Sequence, residues 1–316
     1  MLEHLLMTYL SGTPNLMASD ADSGRRVLCL YSPLMTKPRS PYKTGRVSFV
    51  LSIWLRVPPW FRMLGYKCLM FLGQKFYSKA SAFVQRLPFN MYAKYGYNVR
   101  YAEAVTMKYV KENTSIPVPA VLDVLRDDGG VFILMTRLPG ISFGGNYRLG
   151  ELSATDSSSF EETLRDWFAQ LRSLPAPSNA ISSIDGSPCR SYRINHQSDI
   201  GPFTSEEDFL ASFFEKMPRR FHDDLHAKMK DLYSPHQICL THGDLNPSNL
   251  LFYNGHLSGW IDWECAGWFP EYWDYTYALY NREMYTEWCE LFTRIFPHYE
   301  KELELEKAFW AVCNPW

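Results

Sequence analysis

From residue 23 to residue 102 the chain contains no aspartate or glutamate. The same stretch carries fourteen lysines and arginines, so the remainder bears a formal charge of about −16 although the whole chain is only −2. This polarity predicts an electropositive N-terminal part that attracts phosphate groups, with weak peripheral affinity for anionic lipid through residues 47–72. No nucleic-acid-binding motif accompanies the charge, so a nucleic-acid partner is not expected. Cysteine is sparse and unpaired in pattern: seven residues, odd in number, scattered and never spaced as CxxC. That argues against a disulfide framework and for reduced thiols in an intracellular, cytoplasmic protein. Clean apolar runs are also lacking. The best membrane candidate, residues 47–72, is broken by Pro58-Pro59 and contains Arg56, Arg62 and Lys67, whereas a spanning helix needs about 20 predominantly apolar residues. The opening Met1-Leu2-Glu3-His4-Leu5-Leu6 is too short in its apolar run for a secretory signal. His222 and His226 stand one helical turn apart, but no HExxH and no third ligand accompany them, so a solvated helix face is expected there.

What is present suggests a globular chain with a sizeable core, 46% hydrophobic over 316 residues. Residues 1–46 are rich in Ser, Pro, Thr and Met without periodicity and read as a mobile extension. Residues 47–77 form an apolar and basic segment in which Trp60, Leu64, Cys68, Phe71 and Leu72 recur at helical spacing. Residues 78–138 read as two strands bent at Pro88-Phe89-Asn90, a helix from Glu103 to Asn113, and a hairpin across Asp127-Asp128-Gly129-Gly130. From residue 139 onward helices dominate. One keeps Phe160, Leu164, Trp167, Phe168 and Leu171 on a face, with Ser157-Ser158-Ser159 as its expected cap. Residues 182–201 read as loop. Asn254-Gly255 is a strong hairpin signal between two short strands.

The chemistry concentrates in His242-Gly243-Asp244-Leu245-Asn246-Pro247-Ser248-Asn249, followed thirteen residues later by Asp262 in Ile261-Asp262-Trp263-Glu264. Phosphoryl transfer passes through a loose transition state, so catalysis is mostly positioning and charge neutralisation. It needs a carboxylate to orient and deprotonate the acceptor hydroxyl, and hard oxygen ligands for magnesium. Asp244 fits the first role; Asn249 and Asp262 fit the second. His242 reads as a brace for the loop. Glu264, Glu271 and Asp274 form an acidic group that either receives an amine-bearing acceptor or, for Asp274, anchors the loops.

At these residues the chain resembles the aminoglycoside phosphotransferase family, in particular its fungal branch. The resemblance extends to Arg86-Leu87-Pro88-Phe89-Asn90-Met91-Tyr92-Ala93-Lys94-Tyr95-Gly96, to Ile133-Leu134-Met135-Thr136-Arg137-Leu138-Pro139-Gly140 and to Gly267-Trp268-Phe269-Pro270-Glu271-Tyr272-Trp273-Asp274, over roughly residues 57 to 310. It implies an α+β, two-lobed protein-kinase-like fold, with a small antiparallel-sheet N-lobe at 78–138 and a mainly helical C-lobe at 139–316. It further implies ATP and Mg2+ as cofactors, and a small-molecule hydroxyl as acceptor. Lys94 is then expected to contact the α- and β-phosphates, held by Glu103. Thr136 and Leu138 are expected to bind adenine through their backbone, with Met135 lining the pocket. A departure is the missing GxGxxG: Tyr77-Ser78-Lys79-Ala80-Ser81-Ala82 occupies its position. The alternative expectation is a non-catalytic nucleotide-binding protein on the same fold.

Overall fold

Strand alternation divides the first half of the molecule into two faces of one sheet. The computed structural model describes residues 45–231, 236–280, 285–296 and 299–313, with only the backbone described at 45–48, 195–198, 216, 224, 230 and 231. All of them belong to one compact unit. The expected extension at 1–46 lies outside the described residues, except for the helical backbone at its end.

Helices α1 (Gly45–Trp54) and α2 (Pro59–Phe76) lead into strands β1 (Val84–Leu87) and β2 (Met91–Gly96), helix α3 (Tyr101–Asn113), and strands β3 (Val121–Asp127) and β4 (Gly130–Thr136). The four strands form an antiparallel sheet in the order β1-β2-β4-β3. Leu87, Ala93, Leu125, Phe132 and Leu134 share a core with Met63 and Tyr66 of α2. The alternate residues Ile133 and Met135 join a second core with Ala104, Met107 and Val110 of α3. The sheet is therefore a layer between two helices. Period-two alternation sends Ala93 toward α2 and its neighbour Lys94 to the opposite side.

Packing of α2 departs from its sequence pattern. The stripe Trp60, Leu64, Cys68, Phe71 and Leu72 faces outward, Trp60 being 71% exposed. The buried face is instead Arg62, Met63, Tyr66 and Gly73. Polar anchoring selects that face: Arg62 pairs with Asp123, and the Tyr66 hydroxyl donates to the same carboxylate at 2.7 Å. The Tyr66 ring also stacks on Phe132 at 4.8 Å. Gly73 is required there, because a Cβ would meet the Arg86 carbonyl oxygen at 2.4 Å.

The second half is built around helix α4 (Ala154–Ser173), which buries Phe160, Leu164, Trp167, Phe168 and Leu171 as expected. Its cap is Ser153 rather than Ser157-Ser158-Ser159: the Ser153 hydroxyl accepts from the Asp156 amide at 3.1 Å. Ser153 and Asp156 form an S-x-x-D pattern at the helix start, which places the later serines inside the first turns. Residues 182–201 contain strands β6 (Ser182–Ser183), β7 (Cys189–Ser191) and β8 (Asn195–Ile200) where a loop was expected. Their pairing is non-local or very short, so no alternation announces it. Helices α5 (Glu206–Lys216) and α6 (His222–Asp231) follow. Strand β9 (Ile238–Thr241) pairs with β12 (Gly267–Pro270), which also pairs with β6. Strands β10 (Leu250–Tyr253) and β11 (His256–Trp260) form the Asn254-Gly255 hairpin, and β10 pairs on its other side with β5 (Ile141–Ser142). Both turn residues have positive φ, 50° and 82°. Helices α7 (Trp273–Leu279), α8 (Thr286–Ile295) and α9 (Glu300–Val312) complete the described chain. This is the expected α+β, protein-kinase-like fold.

Candidate active site

The loop leaving β9 is held from three sides. Gly243 adopts φ +76°, and a Cβ there would meet the Cys265 carbonyl oxygen at 2.2 Å, so glycine alone fits. Asp274, buried in the first turn of α7, accepts the backbone N–H of His242 at 3.1 Å and of Gly243 at 2.9 Å. The His242 ring is sealed against Trp260 at 4.6 Å, with Trp263 edge-on. Burial lowers its pKa, and the neutral ring uses both nitrogens: Nε2–H donates to the Ile261 carbonyl at 3.0 Å while Nδ1 accepts from the Asp244 amide at 3.3 Å. His242 thus joins the Asp244 loop to the Asp262 loop, and the Ile261 amide joins them again by donating to the Asn249 carbonyl at 2.9 Å.

Within this frame the Asp244 carboxylate has an assigned direction. Asn249 Nδ2 donates to its Oδ2 at 2.9 Å and to its backbone carbonyl at 3.0 Å. The Tyr277 hydroxyl donates a further hydrogen bond to it. Burial raises the Asp244 pKa, and the nearby charges of Asp262 and Glu264 add to the rise against the hydrogen bonds.

Lys94 is the centre of the second cluster. Its ammonium lies 2.9 Å from Glu103 Oε2, 2.7 Å from Asp262 Oδ1 and 3.1 Å from Glu264 Oε2. Glu103 opens α3, where the helix N-terminus favours a negative group, and it is 2% exposed. Burial pushes its carboxyl up to about 7, with Lys94 opposing. Burial works against the charge of Lys94, but the three carboxylates outweigh it and hold the ammonium well above its ordinary value. Asp262 has φ 65° and ψ 62°, a left-handed conformation that costs a non-glycine residue about 1–3 kcal/mol and persists where surrounding structure enforces it. One lysine thus gathers residues from β2, α3 and the loop after β11.

Of the other expected residues, Met135 is buried at the end of β4. Thr136 closes that strand, its Oγ1 accepting from the Ala120 amide at 2.9 Å and its own amide donating to the Ala120 carbonyl at 2.9 Å. Leu138 lies in the following crossover, against Gly259. Residues 78–83, preceding β1, are exposed and glycine-free, although the Ala80 amide donates to the Val84 carbonyl at 3.0 Å.

Of the two readings of the acidic group, the anchoring one holds for Asp274, and the three carboxylates have separate partners. Glu264 faces Lys94, Asp274 holds backbone amides, and Glu271 accepts from the Gln237 amide at 3.4 Å. Sequence reasoning missed what holds Glu264: the Tyr192 hydroxyl donates to it, and Arg190 lies 3.5 Å away. It also missed the Tyr277 bond to Asp244. Neither contact has a local signal, because each joins segments far apart in sequence. The histidine pair does not converge on a metal: His222 bonds the Met217 carbonyl at 2.9 Å and His226 stacks on Phe214. Among the described residues, the group whose ligand atoms lie within 4.8 Å of one another is Glu103, Asp262 and Glu264.

A buried lysine–glutamate pair thus lies beside an aspartate-bearing loop on a kinase-like scaffold. The family model described as phosphotransferase enzyme family matches residues 99–309, and the chain belongs to that family of enzymes. A fungal homologue, the Clavilactone A biosynthesis cluster protein Y of Ampulloclitocybe clavipes, is 24% identical over 52% of this chain and 48% of its own length. The chain thus spans about half the length of that curated relative. Among solved structures, the GDP and kanamycin complex of APH(2")-IIia is similar with a TM-score of 0.53, 14% identity and coverage of 78% of this chain and 88% of that one. A thermostable mutant of aminoglycoside phosphotransferase APH(4)-Ia, in ternary complex with ADP and hygromycin B, gives a TM-score of 0.51 at 15% identity, covering 76% of this chain and 87% of that one.

Proposed function

We propose that this enzyme moves the γ-phosphoryl group of ATP to a hydroxyl of a small molecule. The observation that carries the reading is the convergence of Lys94, Glu103 and Asp262 beside a loop that fixes Asp244. Asp244 accepts the proton of the acceptor hydroxyl. Its hydrogen bonds from Asn249 and Tyr277 orient it, and its raised pKa strengthens it as a base. Lys94, steadied by Glu103, meets the α- and β-phosphates. Met135 lines the adenine pocket, and the backbone of Thr136 and Leu138 supplies its polar contacts.

The donor set fits Mg2+. Asp262 and Asn249 offer hard oxygens, which this ion prefers. Asp244, Asp262, Glu264 and Glu103 also outnumber the two cations beside them, Lys94 and Arg190. Asn249 and Asp262 would hold the ion, which supplies charge neutralisation at the phosphates when bound. Kanamycin and hygromycin B belong to the two neighbours' complexes, and at such low identity the likeness carries the fold only. The acceptor of this chain is therefore defined here as a small-molecule hydroxyl.

The test is transfer of label from γ-labelled ATP across a panel of hydroxyl compounds, aminoglycosides included, by wild type and Asp244→Asn. Transfer by wild type, with nucleotide binding retained and transfer reduced at least about 100-fold in the variant, supports the reading. Equal rates in the two proteins remove Asp244 from the base role.

A further inference from the structure

Eighteen large hydrophobic side chains stand exposed among the described residues, and ten of them fall between Phe49 and Phe76. On α2 they follow the helix repeat: Trp60, Phe61, Leu64, Cys68, Phe71 and Leu72 fall on one side, with Phe76 at its margin. On α1, Phe49, Val50, Ile53 and Leu55 add to the same exposed region of sequence. Helix α2 is thus apolar on two sides. One side is spent on the sheet through Met63 and Tyr66; among the described residues the other meets only Trp54 of α1, at the Phe61 ring. An exposed apolar patch of this kind marks an interaction site.

The charge around the patch selects the partner. Arg56, Lys75 and Lys79 are exposed beside it, Lys75 resting over the Phe71 ring at 4.6 Å, whereas Lys67 is paired with Asp127 at 2.8 Å. The preceding sequence adds Arg25, Arg26, Lys37, Arg39, Lys43 and Arg46, and no acid occurs from residue 23 to residue 102. A second copy of the chain would bring an equally basic face against this one. Residues 23–44 would do the same if folded over it. A surface that is negative and accepts aromatic side chains at an apolar–water boundary complements both properties. Among the described residues no helix is long and apolar enough to cross a membrane, so contact along the surface is the geometry this helix offers.

We propose that α2, with α1, docks the enzyme on the surface of an anionic lipid bilayer. Trp60, Leu64, Phe71 and Leu72 enter the headgroup boundary, and the lysine and arginine side chains reach back to lipid phosphates and carboxylates. The enzyme then works on acceptors that concentrate at, or partition into, that surface.

The test is flotation of the full chain with vesicles of phosphatidylcholine alone and of phosphatidylcholine containing about a third phosphatidylserine. Wild type should float with the anionic vesicles and be released by high salt. Trp60→Ser combined with Phe71→Ser should weaken binding at least about tenfold. Lys75→Glu combined with Lys79→Glu should do the same. These side chains are exposed, so the thermal unfolding midpoint of each variant should match wild type. Wild type remaining unbound on anionic vesicles would overturn the proposal. So would binding that is indifferent to Trp60 and Phe71. Light scattering that shows a wild-type dimer, dissociated by the Trp60 and Phe71 substitutions, would assign the face to a second copy and overturn it equally.

Discussion

Replacing Lys94 with methionine removes the cation on which three carboxylates converge while keeping much of the side-chain volume. Glu103 suffers most, because it is 2% exposed and its ammonium partner lies 2.9 Å away. Breaking a buried pair from one side typically costs about 3–5 kcal/mol, since the remaining charge is left uncompensated. That cost carries a pH signature. Burial already pushes the Glu103 carboxyl up to about 7 against the opposition of Lys94, and without the lysine it rises further. An acid whose folded pKa lies above its unfolded value is disfavoured as pH climbs between the two values, by about 1.4 kcal/mol per unit. Wild type bears the same cost up to about pH 7, so the Lys94→Met penalty should be level from pH 5.5 to about 7 and larger at pH 8 by up to about 1.4 kcal/mol, because there only the variant keeps Glu103 protonated. Adding Glu103→Gln should recover much of the loss at pH 8 and change little at pH 5.5. Urea unfolding of the four members of this cycle at the two pH values measures it. A Lys94→Met penalty that is equal at both pH values, and additive with Glu103→Gln, would refute the assignment of Glu103 as the stranded charge.

Other substitutions read other parts of the site. Gly243→Ala puts a Cβ 2.2 Å from the Cys265 carbonyl oxygen at a left-handed position; it should destabilise by about 2–4 kcal/mol and abolish transfer, checked by unfolding and label transfer together. Asp274→Ala strands the amides of His242 and Gly243; at about 1–3 kcal/mol for each unpaired buried donor, chemical denaturation should show a loss of about 2–5 kcal/mol. His236 bridges Glu206 and Glu302 at 2.7 and 3.0 Å. Burial lowers its pKa, but the two carboxylates outweigh this and lift it from 6.5 to about 9. Its contribution, on the order of 1–2 kcal/mol with solvent screening, is full below pH 6.5 and lost as pH rises through about 9. Stability of His236→Gln, measured from pH 6 to about 10, should lack that decline.

Features legible in the sequence were those with short-range causes. The Asn254-Gly255 turn and the buried stripe of α4 each depend on neighbours a few residues away. Lys94 and Asp262 are 168 residues apart, yet they could be matched through the order of motifs in a known scaffold. The outward stripe of α2 was the reverse case. Its periodicity is plain, but which side is buried follows from Arg62 and Tyr66 meeting Asp123 about 60 residues on, and local pattern does not encode that. The grip of Tyr192 on Glu264 and of Tyr277 on Asp244 was hidden for the same reason. Short strands such as Ser182–Ser183 exist because β12 offers an edge, and two residues cannot display a period.

The central claim is that Lys94, Asn249 and Asp262 belong to a nucleotide and magnesium site. Thermal-shift titration with ATP, with and without Mg2+, on wild type and Asp262→Ala addresses it most directly, because a ligand that binds only the folded state raises apparent stability. The account predicts a magnesium-dependent rise in wild type that disappears in Asp262→Ala. No rise in wild type at millimolar ATP, or an undiminished rise in the variant, would contradict it.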